Sequence, residues 1–361
     1  MAQLPYNLFE WNRPLELQLG GSLPRFQIAY ETWGSLNEDK SNAIILFTGL
    51  SASSHAKSHS RTDVPGWWEA MIGDGMALDT RRFFIVCLNH LGGCFGSTGP
   101  SSINPETGKR YGPDFPPVLI QDLVDAAALL LDSLGIQRLY AAIGTSMGGM
   151  LAMEMAARYA DRVARLVSIS ASGRPGPQSI AFRYLQRRVI LADPFYNDGR
   201  YYDCENKPLE SMAVAREIGN ITYRSREEFN ERFGRTRTGK GYNFGPDFQV
   251  ESYLHHMGKK LASNFDPNSF LFLTKAMDIY SLGYDFPSYD AGVVRIEARS
   301  LMIGVSTDLL FPPDEQESVA KILHKEGRDV RFQMLESKAG HDAFLVEVDW
   351  FHSVVGAFLD R

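Results

Sequence analysis

The chain has 361 residues, 44% of them hydrophobic and 12% aromatic, enough to bury one large core domain with or without an inserted subdomain. Its net charge of −6 argues against a general nucleic-acid binder, although local basic clusters can still hold a small anion. No apolar stretch reaches the length of a membrane span, Met1 to Pro14 lacks the basic and apolar regions of a signal peptide, and the three cysteines, Cys87, Cys94 and Cys204, fit no metal spacing, so a reduced, cytoplasmic, metal-free protein is expected.

Leu15, Leu17 and Leu19 alternate with polar residues, and so do Phe26, Ile28 and Tyr30. Gly20-Gly21-Ser22 lies between them, which predicts a β-hairpin. Four short apolar runs follow, Ala43–Phe47, Phe83–Leu88, Leu139–Ile143 and Leu166–Ile169, each with the texture of a buried strand. Between the second and third, Ile120, Leu123, Ala127, Leu130 and Leu134 fall on one helical face and Gly135 follows as a C-cap. Strands alternating with helices imply an α/β fold: a mostly parallel sheet covered by helices on both faces. From about Pro177 to Val293 the texture turns helical, charged and aromatic. Strand texture returns at Ser300–Val305 and Val330–Leu335, and a last helix pattern runs from Asp349 to Leu359. The expected organisation is a core made of residues 1–176 and 294–361, with a helical lid inserted at 177–293.

The chemistry concentrates at Gly144-Thr145-Ser146-Met147-Gly148-Gly149, between an apolar run and an Ala- and Met-rich helical segment. Gly-x-Ser-x-Gly in a strand–turn–helix setting is a nucleophile elbow. A serine hydroxyl is a weak nucleophile and must be exposed beside a base, and bulk at Gly144 or Gly148 would block the sharp turn that exposes it. In an α/β-hydrolase fold the carboxylate and histidine follow in the order Ser, Asp, His. Asp308 follows the strand that ends at Val305, and His341 follows the next one; loops beyond strand C-termini are where such sheets place catalysts. The other histidines match no strand end so well. An oxyanion hole needs two backbone N–H groups, and Met147, after the nucleophile, and Leu50, in Thr48-Gly49-Leu50-Ser51, are the expected donors. Cys94, among glycines, is a weaker second nucleophile, because no basic neighbour or helix start is evident beside it.

With these residues in place the chain resembles the homoserine O-acetyltransferase family of α/β-hydrolase-fold acyltransferases. The resemblance covers nearly all of it. It is carried by Pro65-Gly66-Trp67-Trp68, Leu91-Gly92-Gly93-Cys94, Gly96-Ser97-Thr98-Gly99-Pro100-Ser101-Ser102, the elbow through Met150, Thr222-Tyr223-Arg224-Ser225, Arg232-Phe233-Gly234-Arg235 and Gly340-His341-Asp342-Ala343-Phe344-Leu345. The resemblance implies an acyl-enzyme on Ser146, with Asp308 and His341 completing the triad. Acetyl-CoA would be the co-substrate, with no bound cofactor, and a small hydroxy amino acid the acceptor in cysteine or methionine biosynthesis. It points to Arg216 as partner of the acceptor carboxylate, assisted by Tyr223, and to Asp342 as partner of its ammonium group. It also implies a homodimer formed by the lids.

One departure bears on the acceptor. Many homoserine enzymes have an acidic or amide residue where this chain has Leu50. The stretches Leu50 to Lys57 and Phe265-Asp266-Pro267-Asn268-Ser269 look more like the relatives that acylate L-serine, so L-serine is favoured over L-homoserine by a modest margin. After Asp308 comes Leu309-Leu310-Phe311-Pro312, without the arginine that succinyl-transferring enzymes tend to carry, which favours acetyl. Arg224, Arg226, Arg232, Arg235, Arg237 and Lys240 could hold coenzyme A phosphates. They are interleaved with Glu227, Glu228 and Glu231, so a solvated helix face is the favoured reading.

Overall fold

The computed structural model describes residues 6–60, 62–239, 242 and 244–360. Eight strands form the main sheet: β1 (Asn7–Trp11), β2 (Phe26–Trp33), β3 (Ala43–Phe47), β4 (Phe84–Leu88), β5 (Ala141–Thr145), β6 (Arg165–Ile169), β7 (Arg299–Val305) and β8 (Val330–Leu335). Their spatial order is β1-β2-β4-β3-β5-β6-β7-β8. The order reverses around β3, β4 and β5, so the sheet has a switch point where the ends of β3 and β5 lie side by side. β2 runs antiparallel to both neighbours, and every other pairing is parallel.

The helices are α1 (Ile120–Ser133), α2 (Met147–Arg158), α3 (Pro177–Leu191), α4 (Leu209–Tyr223), α5 (Arg226–Phe233), α6 (Gln249–Ala262), α7 (Pro267–Ile279), α8 (Tyr289–Val293), α9 (Pro313–Lys325), α10 (Ala343–Val346) and α11 (Val348–Leu359). Among the described residues, 177–293 supplies helices and no strand of the sheet. No described helix is long and apolar enough to cross a membrane.

Alternation explains the unbroken apolar texture of the central strands. Ile45 and Phe47 belong to the core cluster on the α1 and α2 face of the sheet, while Ile44 and Leu46 belong to the cluster on the other face with Phe351, Val355 and Phe358 of α11. A strand buried on both faces has no polar side to show.

The hairpin expected from Leu15 to Tyr30 is much shorter. Only Leu15–Glu16 pairs with Ser22–Leu23, and β2 pairs with β1 and β4 instead. Alternation gives a strand its two faces and leaves its partner open; an eight-residue strand gains more from the central sheet than from a two-residue turn.

Candidate active site

The elbow is built as its glycines demand. Ser146 sits between β5 and α2 with φ 57° and ψ −125°, a sparsely populated conformation that costs about 1–3 kcal/mol and persists only where the surroundings enforce it. A Cβ on Gly144 would lie 1.9 Å from Gly148 O, and one on Gly148 would lie 2.1 Å from Phe47 O. The strand end, helix start and neighbouring loop therefore approach more closely than any side chain allows. The Ser146 N–H donates to Ile169 O at 2.9 Å, tying the turn to β6.

His341 Nε2 lies 2.9 Å from Ser146 Oγ, and His341 Nδ1 lies 2.8 Å from Asp308 Oδ2. The other carboxylate oxygen of Asp308 accepts from the backbone N–H groups of Leu310 and Phe311, each at 2.9 Å, so its orientation is fixed. All three side chains are buried. Burial alone would pull the His341 imidazole down. The charge and hydrogen bond of Asp308, with the nearby Asp342 charge, outweigh it and raise the histidine above its ordinary value, while Arg216 opposes them. A hydroxyl, an imidazole and an oriented carboxylate in this relay can form and resolve a covalent ester.

Leu50 and Met147 flank Ser146. Met147 opens α2, and a Cβ on Gly49 would come within 3.9 Å of Ser146 Cβ, which places the Leu50 loop against the nucleophile. Among the described residues, neither the Leu50 nor the Met147 N–H donates to a protein acceptor. Two free donors near a hydroxyl, one at a helix start, favour negative charge there.

A cavity of about 120 Å³ opens over Ser146. It is lined by the Gly49–Ala52 loop and Trp67, and by Arg216, Tyr223, His341, Asp342, Phe344 and Leu345. Arg216 and Tyr223 come from α4, so the helical segment supplies part of the wall. The Arg216 guanidinium stands 4.8 Å from the Tyr223 ring centroid, and the Tyr223 ring is 5.8 Å from that of His341. Asp342 forms an ion pair with Arg224, Nη2 to Oδ2 at 3.1 Å, a partner that sequence reasoning did not assign to it. The signal was there: Tyr223-Arg224 and His341-Asp342 are adjacent pairs in stretches already singled out.

Several sequence readings acquire a definite place. Burial pushes the Cys94 thiol up to about 12, and its Sγ accepts from the Asp266 N–H at 3.4 Å; a thiol held protonated is a poor nucleophile. In the basic cluster, Arg224 pairs with Glu228 as well as Asp342, Arg232 lies 3.9 Å from Glu228, and Arg237 pairs with Asp247 at 2.7 Å. Lys240 is outside the described residues. Of the two stretches used for the acceptor, only the Leu50 loop reaches the cavity. Asp266 instead caps α7 and accepts from the hydroxyls of Tyr201 and Tyr202 at 2.7 and 3.0 Å.

A feature unforeseen in the sequence supports the Leu50 loop. The buried Glu31 carboxylate of β2 accepts from Ser54 Oγ at 2.8 Å and meets His55 Nδ1 at 2.8 Å and His59 Nε2 at 2.9 Å. These residue types can also ligate a metal, but the separations are hydrogen-bond lengths, and His55 Nε2 is taken up by Val64 O at 2.7 Å. The cluster reads as a polar staple that anchors the loop to the sheet.

A family model described as alpha/beta hydrolase fold matches residues 42–348. The homoserine O-acetyltransferase of Moorella thermoacetica is 42% identical over 97% of this chain and 95% of its own length. The homoserine O-succinyltransferase of Alkalilimnicola ehrlichii is 41% identical over 97% and 93%. Among solved structures, homoserine O-acetyltransferase from Bacillus anthracis superposes with a TM-score of 0.92 at 27% identity, covering 100% of this chain and 99% of that one. Esterase E22 superposes at 0.90 with 31% identity over 98% and 99%. An intact nucleophile elbow, a relay behind it and likeness along nearly the whole chain lead to one conclusion: this protein belongs to the homoserine O-acetyltransferase family, acyltransferases built on the α/β-hydrolase fold.

Proposed function

We propose that the enzyme transfers an acetyl group from acetyl-CoA to Ser146 and then to the side-chain hydroxyl of a small hydroxy amino acid. The observation that carries this reading is the meeting of a serine relay with opposite charges in one cavity: Ser146, His341, Arg216 and Asp342 share its wall. An ester hydrolase has no need of a separated cation and anion beside its nucleophile; a zwitterionic acceptor does.

In the first half-reaction His341 Nε2 takes the proton of Ser146 Oγ as the oxygen attacks the thioester carbonyl. The N–H groups of Leu50 and Met147 meet the oxyanion, and His341 returns the proton to the departing thiolate. In the second, Arg216 holds the acceptor carboxylate with Tyr223 assisting, and Asp342 holds the ammonium group. The acceptor hydroxyl gives its proton to His341 and attacks the acetyl carbon, after which the proton returns to Ser146 Oγ. Asp308 orients the imidazole and stabilises its cationic form throughout. This ping-pong scheme needs no resident cofactor, and its product would enter cysteine or methionine biosynthesis.

The Leu50 loop, which lines the cavity and resembles that of the relatives that acylate L-serine, supports L-serine. The names of relatives such as the Moorella enzyme favour L-homoserine. The two acceptors differ by one methylene, which a shaped pocket discriminates by only about 10–200-fold, so activity on both is expected, with serine modestly ahead. The loop after Asp308 carries Leu309, Leu310 and Phe311, and none of these can pair with a second carboxylate, which supports acetyl over succinyl. Purified enzyme assayed for thiol release, with acetyl-CoA or succinyl-CoA against each acceptor, tests both choices. A homoserine kcat/KM more than about tenfold above that for serine would overturn the acceptor preference. The same reading includes a homodimer formed through the helical segment; a monomeric mass at micromolar concentration would contradict it.

The likeness to esterase E22 supports a second reading, in which water resolves the acyl-enzyme. Discharge of acetyl-Ser146 at the same rate with and without an amino acid would favour it.

A further inference from the structure

Two dipeptides from distant parts of the chain face each other beside the cavity, residue against residue. Tyr223 lies against His341, with ring centroids 5.8 Å apart, and the next residue, Arg224, pairs with Asp342 at 3.1 Å. The register is held by the backbone. Ser225 Oγ donates to Lys338 O at 2.5 Å. Gly340 has φ +67°, and a Cβ there would fall 2.8 Å from Tyr223 O and 3.1 Å from Arg224 Cα, so any larger residue would push the two segments apart. On its other side Arg224 donates to Glu228 Oε1 of α5 at 2.8 Å. Burial opposes the Arg224 charge, but Asp342 and Glu228 raise it further above its usual range, and it stays cationic.

We propose that Arg224 is a positioning residue for the acceptor: it holds Oδ2 of Asp342 so that Oδ1 is presented to the ammonium group, and it screens the Asp342 charge from the catalytic histidine. This rests on the reading of Asp342 as the ammonium partner. Asp342 lines the cavity, and its Oδ1 accepts no hydrogen bond from the described residues. An aspartate side chain with one oxygen fixed by a guanidinium loses little freedom when a second cation docks on the other. An unpaired Asp342 would rotate, and its full negative charge would act on His341 one residue away.

The groups around His341 are few. Asp308 and Ser146 hydrogen-bond to it, Arg216 and Tyr223 approach from α4, Asp342 is its chain neighbour, and Phe311 and Phe344 close the remaining sides. Arg224 acts through Asp342. Removing its positive charge makes the surroundings of His341 more negative and raises the imidazole further. Catalysis needs the imidazole unprotonated at the start, so the acid limb of the rate profile moves to higher pH.

The test compares R224Q, D342N and the double variant in the intact enzyme, reading the acceptor KM and the pH profile of acetyl-Ser146 formation. R224Q should raise the acceptor KM about tenfold, the scale of one charge-assisted hydrogen bond, and move the acid limb upward. In the D342N background it should add nothing further to KM, because the two act as one unit. R224K should restore the position of the limb and part of the KM. If R224Q folds poorly, E228Q loosens Arg224 from behind and should shift both readouts less, in the same direction. A wild-type KM in D342N would overturn the ammonium-binding reading itself. A raised KM in D342N with a wild-type KM in R224Q would overturn only the role of Arg224. Additive losses with an unmoved acid limb would mean that Arg224 serves folding alone.

Discussion

The sheet core and the helical segment contribute to the same cavity by different physics. The core residues Ser146 and Asp308 lie just beyond strands that are buried on both faces, His341 follows the partly exposed edge strand β8, and close backbone contacts hold all three in place. The helical residues Arg216, Tyr223 and Arg224 are half-buried and are held by ring contacts and ion pairs. Packed strand ends give the relay its precision. Under the proposed function, charged side chains of the helical segment would set acceptor selectivity, at weaker coupling energies. Damage to the core should therefore abolish chemistry, and damage to the helical segment should retune it.

The largest effect on that contrast should come from Ser146→Ala. Turnover should fall by roughly 10⁴–10⁶-fold, and His341→Ala in the same chain should cost little more, because relay residues act as a unit. Separate, additive losses would place part of the chemistry elsewhere. By comparison, Arg216→Ala should lower kcat/KM for the amino acid by about 10²–10³-fold, the scale of a lost charged hydrogen bond in a closed site, while acetyl-Ser146 still forms. Equal loss in both half-reactions would erase the division between the two regions.

How much of this could be read from the sequence follows the same division. The strands from Ala43 to Ile169 announce themselves because burial on both faces leaves an unbroken apolar run, and the relay follows from what lies just past each strand end. The elbow glycines are legible because each contact is too close for a side chain. The partner of β2 was not legible, since alternation is blind to pairing. The Arg224–Asp342 pair and the Glu31 staple were not legible either. Both join residues by tertiary approach, across 118 positions in the first case and from β2 to a loop in the second, and neither leaves a periodic trace. In the helical segment the texture gave helices, but which faces meet the cavity depended on packing among α3, α4 and α6.

A smaller effect is expected in stability. Leu131→Ala, fully buried in α1, should destabilise by about 2–5 kcal/mol. Leu185→Ala, 46% exposed on α3, should stay within about 0.5 kcal/mol in a monomer. A larger loss for Leu185→Ala that depends on protein concentration would show that the helical segment is an interface. Denaturant titration at two concentrations separates these outcomes.

The smallest shift lies in the pH profile. Asp308 and Asp342 hold His341 above its ordinary value, and the base must be unprotonated to work. The rate of acetyl-Ser146 formation should therefore fall as pH drops through a midpoint above the usual histidine value of about 6.5. Asp342→Asn should move that midpoint down, and a midpoint that stays put would remove Asp342 from the electrostatics of the relay.

Intact-protein mass spectrometry after mixing with acetyl-CoA, followed by addition of L-serine or L-homoserine, tests whether Ser146 carries the acyl group between donor and acceptor. One acetyl group per chain should appear on the wild type and not on Ser146→Ala, and it should leave faster when the amino acid is added than in buffer alone. Turnover without any acetylated chain, or acetylation that persists in Ser146→Ala, would contradict a covalent relay through Ser146.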